Sequence, residues 1–224
     1  MNFPLYDGGV SEKARRSIAA GELSEALGEY HRLASMGSAL AKCVLAYLSL
    51  RNLPGAPRNV EAAKALANAA LGGEPGYANY VLSYVAYYEK DAKRAINLMV
   101  ASYMAKFIPA STALALINAQ GYGISKHPKE AEIFFLRAIS AGHIPAAFML
   151  CGFYLRGNRG FAKRLLGAVL YPFASRAQWI IETLVPRIYA GVFQCRVSRG
   201  RVFNFLATVS SWAWLTSERS APLG

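Results

Sequence analysis

Few side chains in this chain stand where chemistry would need them. The three histidines are His31, His127 and His143. None sits in the Cys/His/carboxylate pattern that builds a zinc site. The three cysteines, Cys43, Cys151 and Cys195, form no close pair, and their odd number argues against a disulfide framework. Cys43 and Cys151 fall inside helical patterns and read as small buried apolar residues. Glu130 and Glu132 lie two apart on a helical pattern, so they point to different faces and make no acid–base pair. Gly121-Tyr122-Gly123 lacks both the preceding strand and the third glycine of a nucleotide loop. The serines lack a nucleophile-elbow context. These features predict no active site, no cofactor, no metal and no small-molecule substrate.

Binding chemistry is better represented. Tyr77, Tyr80, Tyr84 and Tyr87 recur at i, i+3, i+7 and i+10, which places them on one face of one helix. Tyrosine and arginine make good interface anchors because each joins a large contact area to a polar handle.

The elements that position this row follow a register. Ala110 and Ala146, Leu114 and Leu150, and Gly121 and Gly157 are each 36 residues apart. A spacing that recurs at several positions at once marks a repeat array. Anchoring alanines Ala26, Ala62, Ala95 and Ala131 mark second helices. Ala41, Ala78, Ala110 and Ala146 mark first helices, each followed four residues later by Leu45, Leu82, Leu114 or Leu150. Next to those leucines stand Ala46, Ser83, Ala115 and Cys151, small enough for helices to approach closely. Asn59 and Asp91 are expected N-caps, and Pro128 suits a first helical position. Gly37, Gly73 and Gly142 close second helices, with Lys106 in the equivalent place. One hairpin cannot bury its apolar face alone, but stacked hairpins share a core.

Over residues 22–157 this pattern resembles the Sel-one-like repeat (SLR) family, a relative of the tetratricopeptide repeat. The resemblance rests on Leu150-Cys151, Tyr154 and Gly157, on Gly121-Tyr122-Gly123-Ile124, Ala131, Ala138 and Gly142, and on Ala62, Ala69-Ala70 and Gly73. Departures are Leu45-Ala46, Leu82-Ser83 and Leu114-Ala115 in place of Leu-Gly, a shortened Glu89-Lys90 loop, and Lys106. The resemblance implies an all-α, right-handed superhelix of about four SLR-type hairpins. It also implies a non-enzymatic scaffold that assembles protein complexes, by analogy at the bacterial envelope. It further implies that the tyrosine face lines a concave groove holding a partner. Tyr47, Arg51, Leu116, Gln120 and Arg156 would occupy equivalent positions on neighbouring repeats. Packing of the row against the next helix, or against a folded-back C-terminal tail, is the competing reading.

The expected organisation is an N-terminal segment with a capping helix (1–21), the repeats (22–157), and a degenerate last hairpin with a basic, aromatic tail (158–224). The net charge is +12, yet residues 156–224 carry 10 basic and 2 acidic residues. Trp179, Trp212 and Trp214 lie there with Arg187, Arg196, Arg199 and Arg201. A helix is expected over 161–173, ending near Pro172, with a second apolar segment over 177–185. Residues 202–215 hold no charge. The tail reads either as a cap on the open end of the solenoid or as a docking element. As a docking element it would make the chain a peripheral subunit held on an anionic membrane or a membrane protein. Regulation of an enzyme is a third reading. Nucleic-acid binding is disfavoured, since no recognition motif accompanies the basic residues. Residues 1–9 lack the features of a secretory signal, and no charge-free apolar run is long enough to span a bilayer. Cytoplasmic residence is therefore expected, with the inner face of the membrane as the alternative site.

Overall fold

The computed structural model describes residues 13–14, 17, 22–50, 57–141, 143–156 and 160–189, without the side chains of 23, 144, 145, 156 and 177–189. Nine helices make up the described residues: α1 (Leu23–Ser35), α2 (Ala39–Ser49), α3 (Val60–Ala70), α4 (Pro75–Tyr88), α5 (Ala92–Met104), α6 (Ile108–Gln120), α7 (Pro128–Ser140), α8 (Ile144–Arg156) and α9 (Phe161–Tyr189). Four hairpins follow one another: α2/α3, α4/α5, α6/α7 and α8/α9. Each first helix also packs on the helix before it, and α2 touches α4. The chain is thus an all-α stacked-hairpin solenoid. The segment expected to cap its N-terminus lies largely outside the described residues.

Local chemistry sets the helix ends. Asn59 accepts a hydrogen bond from the Ala62 amide at 2.9 Å, and Asp91 accepts one from the Arg94 amide at 2.9 Å. Each satisfies an amide that the first turn leaves without an intrahelical partner. Ser38 does the same for Ala41 at 3.2 Å. α7 begins at Pro128. Three helices end in the same way. After α1, α4 and α5, the residues Gly37, Lys90 and Lys106 take φ of +95°, +62° and +60°. Their amides, and those of the next residues, turn back to carbonyls of the last turn. This is the Schellman arrangement. Lys106 therefore takes the backbone conformation of the glycine it replaces, despite its Cβ. Gly73 answers a different need. A Cβ there would lie 2.6 Å from the Ala39 Cβ, so only glycine allows this approach.

Packing confirms the first-helix register. Ala41, Ala78, Ala110 and Ala146 are buried, as are Leu45, Leu82, Leu114 and Leu150. So are the small residues beside those leucines. The second-helix register needs one correction. In α3 the buried stripe is Ala63, Ala67 and Ala70, and Ala62 is only half-buried. The anchor equivalent to Ala26, Ala95 and Ala131 is Ala63. Ala62 lies three residues inside its cap Asn59, whereas Ala63, like Ala95 after Asp91 and Ala131 after His127, lies four residues inside and turns inward.

α9 needs a second correction. It does not stop near Pro172 but runs 29 residues, through Pro172 and Pro186. Proline removes one helical hydrogen bond and crowds the carbonyl four residues earlier. Pro172 is exposed, so the carbonyl it displaces can turn to water. The first half of α9 forms the second helix of the last hairpin. Gly167 packs so tightly on α8 that a Cβ would meet the Cys151 carbonyl at 3.1 Å. Tyr171 and Phe148 lie 5.3 Å apart between ring centroids. Glu132 of α7 accepts from the Tyr154 hydroxyl at 2.7 Å and pairs with Lys163, tying α7, α8 and α9 together. Among the described residues, no helix is long and apolar enough to cross a membrane.

Candidate partner-binding site

The tyrosine row lies along α4, which Pro75 opens at its first turn. Its rings meet aromatic side chains from both neighbouring repeats. Tyr47 of α2 lies 6.4 Å from Tyr77 and 6.5 Å from Tyr80, between ring centroids. Phe107, the residue before α6, stacks on Tyr77 at 5.1 Å and tilts against Tyr80 at 5.1 Å. Tyr80 and Tyr84 meet edge to face at 5.0 Å, with their hydroxyls 3.1 Å apart. Tyr77 and Tyr80 are 1% exposed and Tyr84 is 7% exposed; Tyr47 is buried as well.

These four tyrosines are therefore core and do not form an open groove floor. Alanines at the first-helix contacts bring successive repeats close together. The rings on that face then fill the seam between α2, α4 and the start of α6. Tyr87, one turn further on, is half-buried, and Gln120 at the end of α6 is exposed. Arg51 lies outside the described residues. Arg156 ends α8, and its side chain is not described. Trp179 and Arg187 lie on the second half of α9, beyond the described side chains. Arg196, Arg199, Arg201, Trp212 and Trp214 fall outside the described residues altogether.

Where the row reaches the loops, a half-buried aromatic rim emerges. Tyr87 lies 5.0 Å from Tyr122 and 5.8 Å from Tyr88, between centroids. The Arg58 guanidinium sits 4.5 Å from the centre of the Tyr88 ring, a cation–π distance. Its Nε donates to the Leu50 carbonyl at 3.1 Å, which fixes its orientation. Burial pushes the Tyr122 hydroxyl above its usual pKa, and Tyr87 and Asp91 push in the same direction. It therefore stays a neutral donor. Beside the rim, Glu89 pairs with Lys64 at 2.6 Å and Arg94 at 2.8 Å, two cations on one carboxylate. Tyr88 was not singled out in the sequence, and Tyr122 was read only as part of a repeat turn. A signal existed: Tyr122 lies between two turn glycines, 35 residues after Tyr87.

The groups with chemical potential elsewhere are engaged structurally. Burial, reinforced by Glu74, drives the Cys43 thiol far above its ordinary value, and burial also raises Cys151. Both are thiols rather than reactive thiolates. His143 is buried, with Nδ1 2.6 Å from the Thr112 hydroxyl. His127 Nε2 meets the Ser125 hydroxyl at 2.7 Å. Among the described residues, no three His, Cys, Asp or Glu side chains converge on a metal position.

Stacked hairpins with small-residue seams and an aromatic edge define a repeat-type α-solenoid. Two solved structures give that class a narrower description. One is a protective antigen present in uropathogenic Escherichia coli strains and displaying an SLR fold; it matches at a TM-score of 0.54 with 16% identity. That match covers 97% of this chain and 49% of the antigen. The other is a Sel1 repeat protein from Oxalobacter formigenes, at a TM-score of 0.56 and 16% identity, covering 92% of this chain and 64% of that one. The chain thus spans about half to two-thirds of these neighbours' lengths. No family model and no curated protein matches the sequence. The fold is SLR-like.

Proposed function

We propose that this chain is a non-enzymatic interaction scaffold that holds a protein partner and helps to assemble a complex. The observation that carries the reading is the aromatic rim at the loop edge of two successive hairpins. There, Tyr87, Tyr88 and Tyr122 present partly exposed rings beside Arg58, with Gln120 near the same edge. Large amphipathic rings held in place by neighbours lose little entropy when a partner lands on them. Recognition accordingly moves from the buried tyrosines to the rim that continues them. Cytoplasmic residence belongs to the same proposal, and the free, buried Cys43 and Cys151 suit a reducing compartment.

The test is affinity capture with the intact, tagged chain from its native host. It is run in parallel with a Tyr87→Ala/Tyr122→Ala variant, and both eluates are quantified by mass spectrometry. A partner recovered by the parent and lost by the folded variant supports the rim. Equal recovery by both overturns it.

A further inference from the structure

The last hairpin carries an apolar face of unusual size. Phe161, Leu165, Val169 and Phe173 recur every four residues along α9, with Leu166 and Leu170 beside them, and all are exposed. Phe161 is 81% exposed and Phe173 68%. α5 and α7 are also second helices of hairpins, and each exposes only two large apolar residues. α9 exposes seven. The opposite side of α9 is already committed to α8 through Gly167 and Tyr171. The stripe therefore points away from the preceding repeats, where a further helix of a solenoid would stack. An apolar surface of this extent on a folded chain marks a contact.

The chain itself holds a matching element. Residues 202–215 contain no charge. Val202, Phe205, Leu206, Val209 and Trp212 fall at i, i+3, i+4, i+7 and i+10. Asn204, Thr208 and Ser211 fall on the other side, at i, i+4 and i+7, with Phe203 and Trp214 at the border of the apolar face and Leu215 at the segment's end. This is the pattern of a helix that needs one apolar partner. Its length as a helix, about 20 Å at ~1.5 Å per residue, matches the roughly 18 Å from Phe161 to Phe173. The reach also works. From Tyr189 back to the level of Phe173 is about 24 Å along α9. Residues 190–201 are twelve in number, and an extended chain of that length spans about 40 Å.

We infer that residues 202–215 form a helix that packs on the Phe161–Phe173 stripe of α9 and closes the C-terminal end of the solenoid. Charge selects this occupant over a second copy. Pairing two α9 faces would bring the exposed Arg176 of each copy, which continues the stripe three residues past Phe173, into the interface, and like charges there oppose association. The uncharged segment brings no such conflict. Arg196, Arg199 and Arg201 precede it in sequence, within residues 190–201. Tethering adds to the preference, because a short linker holds the segment at an effective concentration that a free partner rarely reaches.

The experiment uses the full chain with a photo-crosslinking phenylalanine analogue placed at Val169. Cross-linked products are separated by mass and mapped by peptide sequencing. The expected product has the mass of one chain, with the link inside 202–215. A product of two chains, or single-chain links confined to other segments, overturns the assignment. A second measurement covers a variant that perturbs folding. Val209→Asp should raise hydrophobic-dye binding several-fold, whereas Ser211→Asp on the polar side should leave it unchanged. Equal dye binding by the two variants contradicts the packing. Flotation with phosphatidylserine-containing vesicles adds a last check. The parent chain should stay unbound and Val209→Asp should bind more. Binding by the parent that is abolished by Val169→Asp would reassign the stripe to lipid.

Discussion

Replacing Tyr80 by alanine should destabilise the solenoid heavily, because Tyr80 belongs to its core. The ring is 1% exposed and touches Tyr47, Tyr84 and Phe107, each from a different segment. Removing a buried aromatic side chain costs about 3–5 kcal/mol, combining lost transfer energy with the cavity left behind. At this size each kcal/mol lowers Tm by roughly 2–4 °C, so a loss of roughly 6–20 °C is expected. Tyr80→Phe keeps the ring and removes only the hydroxyl that meets Tyr84 at 3.1 Å. That change should cost about 1 kcal/mol. Urea denaturation followed by circular dichroism at the helix band reads both variants on one scale. A loss below about 1 kcal/mol for Tyr80→Ala would mean that the seam can do without the ring, and the reassignment of the row from groove to core would fail.

Other consequences follow from single positions. Lys106→Gly should stabilise the fold by about 1 kcal/mol, since Lys106 holds φ of +60° at a helix end where glycine carries no Cβ penalty; an unchanged urea midpoint would count against this. Gly73→Ala should lower thermal stability, because its Cβ would meet the Ala39 Cβ at 2.6 Å, and a neutral result would show that the hairpins are not so closely apposed. Cys43 should resist alkylation at pH 8 in the native chain and react promptly in urea; equal rates would contradict its burial. The same residue sets a sign for alkaline stability. Its folded pKa is raised above the ordinary 9.0, so the unfolded state ionises first. Its contribution is complete below that pH and declines as pH rises through 9.0, which a pH series of urea midpoints on parent and Cys43→Ala would reveal.

The repeat register was legible because it depends on side-chain size. A position that touches a neighbouring helix tolerates only small residues, and Ala41, Ala78, Ala110 and Ala146 announce it wherever they recur. Caps were legible for a similar reason: Asn59 and Asp91 satisfy amides that nearby residues cannot. The fate of the tyrosine face was not legible. A row at i, i+3, i+7 and i+10 identifies one face of a helix, but not how closely the next repeat approaches it. That closeness depends on Phe107, which reaches the row from the following hairpin. The second-helix anchor slipped by one residue for a related reason. Adjacent Ala62 and Ala63 are chemically identical, and only the cap at Asn59 fixes which one turns inward. α9 defeated the proline rule because an exposed proline inside a helix can leave its orphaned carbonyl to water. The rim was hidden because Tyr88 and Tyr122 belong to different repeats and meet only through Tyr87.

The central claim is that a protein partner is read at the rim. Its most direct test is the dissociation constant of the captured partner for the parent chain and for Tyr87→Ala/Tyr122→Ala, measured by titration calorimetry on samples matched for helical content. Loss of two interface anchors should weaken binding by at least about 30-fold, equivalent to ~2 kcal/mol. Dissociation constants agreeing within about twofold would contradict the account, since a change that small is well under 1 kcal/mol.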